Sequence, residues 1–378
     1  MTKIFAINLG STSTKVAYAE DGKVVYKESI YHSKKEFEGC NGFFDQLPIR
    51  TQRIRENLEE HGIKLSDIDA IVSRGGMMQP LPVGVFEINK DMVDQEESCV
   101  YGMHPSSMGC IIARELALEV GCHALTADVP SSDELLPIAR YTGLPGVFRR
   151  TMTQTLNARA VVREWAAERG LRYEEVNAIT TGLGGGINTI AHCHGRMIDT
   201  NNSVNGEGCF STNRCLTVPI DELINDCYSG KWTYEEMNRR VCGEGGLLGY
   251  LGTADMVEIE MLINQGDSYA LQVVEAMCYQ IAKDIGAFAT TLKGKVDVII
   301  LSGGMAKYDL VPNLVKERVE FIAPVHVRPG ELEMEALCEN GHLALTGELP
   351  IQKFVVAKTA REAMGRIDDL WASSNWTP

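Results

Sequence analysis

Three glycine-bearing turns and two arginines supply the residue types that holding and moving a phosphoryl group would need. The first turn is Asn8-Leu9-Gly10-Ser11-Thr12-Ser13-Thr14-Lys15. Gly10 lets the backbone turn and expose N–H groups, the hydroxyls add donors, and Lys15 adds charge, which in chemical terms is a phosphate cradle. It is not a Walker A loop, because no second glycine stands directly before the lysine. The second turn is Gly184-Gly185-Gly186, and the third is Ser302-Gly303-Gly304 after the apolar run Val298-Ile299-Ile300-Leu301. Bare glycine suits close approach of a nucleotide to the main chain, although any single Gly-Gly after a strand equally fits an ordinary turn. Arg74 stands after Ala70-Ile71-Val72 and beside Gly75-Gly76, and Arg214 stands in a loop after Gly208. An arginine fork binds carboxylate or phosphate bidentately and does not titrate away; a surface ion pair is the competing reading for each. Asp128, after Ala124-Leu125, and Glu331, after Pro329-Gly330, both fit turn positions, and a lone His104 fits a structural role as readily as a chemical one.

These residues need strands that end in turns, and an internal repeat supplies them. Lys3 to Lys27 reads as strand, Gly-rich turn, strand, Asp21-Gly22 hairpin turn, strand; Asn177 to Thr200 repeats that order, with His194-Gly195 at the second turn. Both dipeptides suit tight hairpins, since glycine accepts positive φ. Two copies half a chain apart point to duplication. Helical periodicity is expected over Thr51 to His61, Pro105 to Val120, Thr151 to Arg169 and Ser268 to Leu292, the last followed at once by a buried strand. Strands alternating with helices give an α/β protein. The expected domains are 1–175 and 176–354, with a C-terminal helix at about 355–378 returning to the first.

Bulk properties narrow the partners. With 378 residues, a net charge of −15 and 36 Lys plus Arg against 51 Asp plus Glu, the chain fits two soluble domains and not a nucleic-acid or anionic-membrane binder. No apolar run approaches a membrane span, and nothing at the N-terminus reads as a leader. The 11 cysteines, with no Cys-x-x-Cys pair, fit free thiols in a reducing cytoplasm. His192-Cys193-His194 has the look of a metal clip, but without a second ligand cluster a hairpin is the better reading.

The order of motifs resembles the acetate and butyrate kinases, the butyrate kinases most closely. The resemblance rests on Gly10 to Lys15 after Ile7-Asn8, Ser73-Arg74-Gly75-Gly76, His104 before Pro105, Asp128, Asp133-Glu134-Leu135 and Leu156-Asn157. It continues through Asn205-Gly206-Glu207-Gly208, Phe210-Ser211, Arg214, Thr233-Tyr234-Glu235-Glu236, Leu301-Ser302-Gly303-Gly304 and Pro329-Gly330-Glu331, spanning nearly the whole chain. It implies a duplicated ribonuclease-H-like fold, that of the actin-like ATPases, with two domains around a nucleotide cleft, and homodimers or higher homo-oligomers. The implied reaction is Mg²⁺-dependent phosphorylation of a short-chain carboxylate by ATP, giving an acyl phosphate and ADP, reversibly. By the same resemblance Arg74 and Arg214 hold the acid and the transferring group, and Asn8 faces the phosphoryl group. Asp128 and Glu331 serve the metal, and His104 belongs to the active site. Gly10, Ser11, Ser13, Lys15, Gly184, Gly185, Gly186, Ser302, Gly303 and Gly304 meet the nucleotide. Gly76 replaces a bulky β-branched residue of the acetate kinases, which suggests room for a longer acyl tail.

Three positions depart from the family. Gly182 stands where a histidine precedes the second glycine turn, Gln154 replaces another histidine, and Leu9 replaces a proline. A Gly182→His change is expected to raise turnover if the position has ordinary strand geometry, and to cost stability if it needs positive φ. The departures keep open a catalytically weak, nucleotide-binding regulator. A different phosphotransferase or hydrolase on the same fold is a further alternative.

Overall fold

The computed structural model describes residues 1–374, 376 and 377; the end of the expected 355–378 segment, at Asn375 and Pro378, lies outside the described residues. The strands are β1 Lys3–Leu9, β2 Ser13–Glu20, β3 Lys23–Tyr31, β4 Ala70–Ser73, β5 Val85–Glu87, β6 His123–Ala127, β7 Asn177–Leu183, β8 Ile187–Cys193, β9 Arg196–Thr200, β10 Val298–Gly303, β11 Val325–Pro329 and β12 Ile351–Lys353. The helices are α1 Leu47–Glu60, α2 Lys90–Ser98, α3 Ser107–Val120, α4 Thr155–Ala167, α5 Ile220–Tyr228, α6 Tyr234–Val241, α7 Gly246–Leu251, α8 Met256–Asn264, α9 Ser268–Thr291, α10 Leu310–Val319, α11 Glu333–Leu345 and α12 Ala360–Ala372. Among the described residues no helix is long and apolar enough to cross a membrane.

The chain forms two compact units. One comprises 1–133, 155–160 and 332–374; the other comprises 134–154, 161–331 and the described residues after 374. Residues 332–354, and not only the C-terminal helix, group with the first unit. The physical reason is burial: α11 places Met334, Leu337 and Cys338 in one apolar cluster with Ile4, Ala6 and Val72 of the first sheet. The contact is close, since a Cβ on Gly341 would lie 2.7 Å from Val72 Cγ2.

The first unit holds a seven-stranded sheet in the order β12-β5-β6-β4-β1-β2-β3. Alternation along β1 explains why it reads as one apolar run. Phe5, Ile7 and Leu9 face the cluster that contains Ile54 and Leu58 of α1 and Met108, Ile112 and Leu116 of α3. Ile4 and Ala6 face α11. A strand covered on both faces has no solvent side to make polar.

The second unit holds a five-stranded sheet in the order β11-β10-β7-β8-β9. Its main core sets Ile179, Leu183, Ile187, Ile299 and Leu301 with Val274, Met277, Ile281 and Ile285 of α9 and Val311 and Val315 of α10. Asp267 caps α9, its carboxylate accepting from the Tyr269 and Ala270 N–H groups.

Duplication is visible in the pairing. In the first unit β3-β2-β1 are antiparallel neighbours, and β4 and β6 join β1 in parallel. In the second unit β9-β8-β7 are antiparallel, and β10 and β11 join β7 in parallel. The hairpin turns also match: Asp21 and Gly22 have φ of 46° and 75°, and His194 and Gly195 have 47° and 81°. Positive φ at both central residues is the geometry whose twist fits a two-residue hairpin. The His192-Cys193-His194 segment is that hairpin, with His192 buried between Tyr173 Oη (2.8 Å) and Thr180 Oγ1 (2.9 Å). All 11 cysteines are free thiols.

Candidate active-site residues in each unit

In the first unit, parallel pairing of β1 and β4 aligns Ile7 with Ser73 and so brings Asn8 and Arg74 side by side at the strand ends. The link between them is Glu333, at the start of α11. Asn8 Nδ2 donates to Glu333 Oε2 at 2.7 Å, and Arg74 Nε lies 3.2 Å from Glu333 Oε1. Asn8 is 7% and Glu333 8% exposed, so this is a partly buried anchor and not a surface ion pair. It uses only the Nε of Arg74. Both Nη groups, the fork that grips a carboxylate, have no partner among the described residues.

The sequence reading named Glu331; the glutamate that contacts Asn8 and Arg74 is Glu333, two residues on. Glu331 is exposed and lies in the second unit, whereas Glu333 is buried in the first. In sequence the two are a pair of glutamates after Pro329-Gly330, and only the start of α11 distinguishes their surroundings.

Asp128 follows β6 with φ of 43°, a left-handed position that aspartate tolerates. Its Oδ1 accepts from the Gly84 N–H at 2.9 Å, and its Oδ2 lies 3.2 Å from Arg159 Nε. The carboxylate is 3% exposed and already carries a counter-charge. Arg159, three residues into the chain after Leu156, was another residue the sequence did not single out.

His104 precedes α3. Its Nδ1 lies 2.8 Å from Ser106 Oγ and accepts from the Ser106 N–H at 3.2 Å. An accepting Nδ1 puts the proton on Nε2 in the neutral ring. The Nδ1 contacts anchor the ring at the start of α3.

The first glycine turn is closed by Gly10 N–H to Ser13 O at 2.8 Å. Ser11 and Thr12 are exposed, and Ser13 and Lys15 are half-buried. Thr14, by contrast, points inward: its Oγ1 lies 2.9 Å from His32 Nε2 and accepts from Arg50 Nη1 at 3.1 Å. Arg50 of α1 is fully buried and also donates to Ser11 O at 3.2 Å and Ser13 O at 3.4 Å. Burial pushes its guanidinium down to about 10, which still leaves it protonated near neutrality. No carboxylate pairs with it among the described residues, so a positive charge sits under the first glycine turn.

In the second unit, Gly184 to Gly186 join β7 to β8. A Cβ at Gly184 or Gly185 would meet nothing closer than 3.6 Å, but at Gly186 it would lie 2.5 Å from Arg214 Nη1 and 2.8 Å from Ser203 Oγ. The guanidinium of Arg214 thus lies on the turn itself. Nη1 donates to Ser203 O at 3.0 Å and Ser203 Oγ at 3.2 Å; Nε and Nη2 have no partner among the described residues. Ser203 is fixed in turn, its hydroxyl donating to Asn188 Oδ1 at 3.0 Å.

Ser302 to Gly304 end β10. Gly303, with φ of 100°, exchanges backbone bonds of 2.9 and 3.0 Å with Gly330, and its Cβ would collide with Leu183 O at 2.5 Å. Gly304 has open space on its side-chain position, and Ser302 is buried. Gly303 therefore serves close packing of β10 on β7, and Gly304 is the position with room above the main chain.

Two sequence departures prove to be one feature. Gly182 lies within β7 in ordinary strand geometry, paired with Asn188 and Ser302. A Cβ there would lie 2.5 Å from Gln154 Oε1. The Gln154 amide occupies the space beside Gly182, and has no hydrogen-bond partner among the described residues.

Gly76 corrects an expectation. Its missing side chain leaves no tail space: a Cβ would lie 2.2 Å from Ser107 Oγ and 2.5 Å from Glu96 Oε2. The volume is filled by α2 and α3.

A further cavity of about 710 Å³ in the second unit is lined by Trp232, Arg240, Gly245 and Tyr250 among others, and includes neither glycine turn.

Residues 148–326 match the acetokinase family. Acetate kinase from Porphyromonas gingivalis shares 18% identity, covering 92% of this chain and 100% of that one, with a TM-score of 0.75. A propionate kinase from Francisella tularensis subsp. tularensis SCHU S4 gives 17%, 90%, 99% and 0.71. Acetate kinase from Entamoeba histolytica gives 16%, 89%, 98% and 0.70. Residues 148–326 thus carry the acetokinase match, and the chain as a whole shares the two-domain α/β fold of these acetate and propionate kinases.

Proposed function

We propose that this protein transfers the γ-phosphoryl group of ATP to the carboxylate of a short-chain acid, giving an acyl phosphate and ADP, reversibly. The observation that carries this reading is Arg74: Glu333 holds its Nε while both Nη groups remain available to an anion. A carboxylate oxygen attacks the γ-phosphorus and the bond to the β-phosphate oxygen breaks. The acid is already ionised, so no protein base is needed, and catalysis is positioning and charge. Arg74 grips the acid bidentately. Arg214, fixed by Ser203, offers Nε and Nη2 to the transferring group. The loop at Gly10, Ser11, Ser13 and Lys15, over the charge of Arg50, receives phosphate oxygens. Gly184, Gly185 and Gly304 allow the nucleotide to approach the main chain.

The donor set also fits Mg²⁺. Each Glu333 oxygen spends one lone pair on Asn8 or Arg74 and keeps another, and Mg²⁺ with a triphosphate takes only one or two protein carboxylates. We assign that role to Glu333 with Asn8; Glu331 keeps its place only as a test case, and Asp128 with Arg159 is assigned to orienting the acceptor. Bound there, Mg²⁺ would neutralise phosphate charge.

The finer reading is a butyrate-sized or branched acid, supported by the motif order and not by Gly76. A homodimer and a cytoplasmic setting complete the proposal, with light scattering the check on the former.

The test is purified protein with ATP, Mg²⁺, hydroxylamine and acids from acetate to hexanoate, scored for hydroxamate. The expected result is Mg²⁺-dependent product with kcat/KM for butyrate above acetate, graded at about 1–3 kcal/mol per methylene. Acetate above butyrate would remove the finer reading. No product from any acid, with ADP still bound, would leave a nucleotide-binding protein without this catalysis, the reading that Gly182 favours.

A further inference from the structure

Beneath the Arg74 turn lies a buried carboxyl group that the proposed chemistry does not use. Glu96, on α2, is 0% exposed. Its Oε1 accepts from the Gly76 N–H at 2.7 Å. Its Oε2 and Ser107 Oγ both crowd the side-chain position of Gly76, and neither has a well-aligned hydrogen-bond partner. The turn is tied at its other end as well. Gly75 N–H donates to Ser73 Oγ at 3.2 Å, and Arg74 N–H donates to Ile7 O at 3.2 Å. Gly75 and Gly76 both lack room for a side chain, so the turn is pressed onto α2, α3 and β6.

We propose that Glu96 is a positioning residue for Arg74, and that it works as the neutral acid, holding the Gly76 N–H so that the arginine fork faces the substrate carboxylate. This inference rests on the carboxylate-kinase reading. No cation faces Glu96, only neutral donors. An ionised carboxylate this deep needs a cation or several donors. The groups facing Glu96 are Ser107 and Cys110 of α3, the Gly76 N–H, and Cys99 at the end of its own helix. Burial pushes both thiols above their ordinary value, so neither offers charge of either sign near neutrality. Burial likewise pushes Glu96 up from 4.5 to about 7. The proton therefore stays on Glu96 below that range. Above it, a buried charge with neutral donors and no cation beside it forms under the turn, and the turn must shift or admit water.

Stability gives a readout independent of turnover. Unfolded Glu96 ionises near 4.5 and folded Glu96 near 7, so this group's contribution is full below the lower value and is lost as pH rises through the upper one. Glu96→Gln keeps the acceptor and removes the titration. Its thermal midpoint should gain on wild type as pH climbs from about 5 to about 8 and then hold its lead.

The kinetic test uses wild type, Glu96→Gln and Glu96→Ala with the best acid across the same range. Wild-type KM for the acid should rise above the Glu96 titration while KM for ATP stays flat. Glu96→Ala should raise KM for the acid about tenfold or more at every pH, and Glu96→Gln should restore it and show no such rise. A folded Glu96→Ala variant with wild-type KM would overturn the assignment. So would a Glu96→Gln variant that repeats the wild-type pH profile. If wild type forms no acyl phosphate with any acid, the function reading fails by itself. The midpoint comparison then decides whether Glu96 is neutral: parallel curves for wild type and Glu96→Gln would sink it.

Discussion

Replacing Gly182 by histidine tests the reading that Gln154 fills the place of a histidine donor, and the structure changes the expected outcome. The backbone at Gly182 is ordinary strand, so strain from positive φ does not enter. Space does. A Cβ would sit 2.5 Å from Gln154 Oε1 and 3.4 Å from its Cδ. Carbon in ordinary contact needs about 3.5 Å, so the amide must retreat by roughly 1 Å. Because the amide end is flexible, half-buried and unbonded, the cost should fall within the ~1–3 kcal/mol typical of overpacking. For a unit of this size that is a fall in thermal midpoint of about 2–12 °C. Turnover should not rise, since the imidazole enters only by displacing the Gln154 amide, whose Nε2 is the donor near the Gly184 turn. Gln154→Ala alone should lower kcat by about 10²–10³, the scale of one transition-state donor. Combining it with Gly182→His should relieve the crowding, and the two stability changes should miss additivity by ~0.5–3 kcal/mol. Differential scanning fluorimetry and hydroxamate kinetics on the four proteins of the cycle measure all of this. Additive stabilities together with a Gln154→Ala variant that keeps more than about a tenth of wild-type kcat would refute the idea that Gln154 stands in for the histidine.

Arg74→Ala and Arg214→Ala should each nearly abolish turnover with an unchanged fold, and lysine at either position should rescue poorly because it lacks the planar fork; kcat above about a tenth of wild type in both alanine variants would show that the assignment is wrong. Glu333→Gln should sharply lower activity and raise the Mg²⁺ concentration that the residual activity needs, while Glu331→Gln changes little, and the reverse pattern would restore the choice made from sequence. Arg50→Gln should raise KM for ATP about tenfold and leave KM for the acid unchanged. It should also lower the thermal midpoint, as loop carbonyls that Arg50 satisfied lose partners at about 1–3 kcal/mol each. An unchanged KM for ATP would mean that the buried charge serves only the fold.

What the sequence revealed, and what it hid, follows from the range of each signal. The hairpins were legible because Asp21-Gly22 and His194-Gly195 act locally, and their positive φ values depend on no distant contact. The α9 helix was legible over Ser268–Thr291 because its apolar positions recur on one face for many turns. Short elements were not: α2 carries only Met92 among its large apolar residues in the core, and its sequence is mostly charged. The α1 start at Leu47 was overlooked although Pro48 marks a first turn. Site residues divide by the same rule. Asn8, near the end of β1, and Arg74, just after β4, were named from their place in a motif. Glu333, Arg50, Arg159 and Glu96 matter because of what they touch 325, 36, 31 and 20 residues away, at Asn8, Thr14, Asp128 and Gly76 respectively. No periodicity carries that information. Gly76 shows the hazard most clearly. From sequence, a lost side chain reads as space for substrate; in the fold the space belongs to a carboxyl group and a hydroxyl. Gly182 shows the same exchange, a glycine answered by a glutamine 28 residues earlier. In both places the absent side chain is filled from within the same unit, so substitutions near the reacting groups have to be read in pairs, each glycine with the polar side chain that occupies its place.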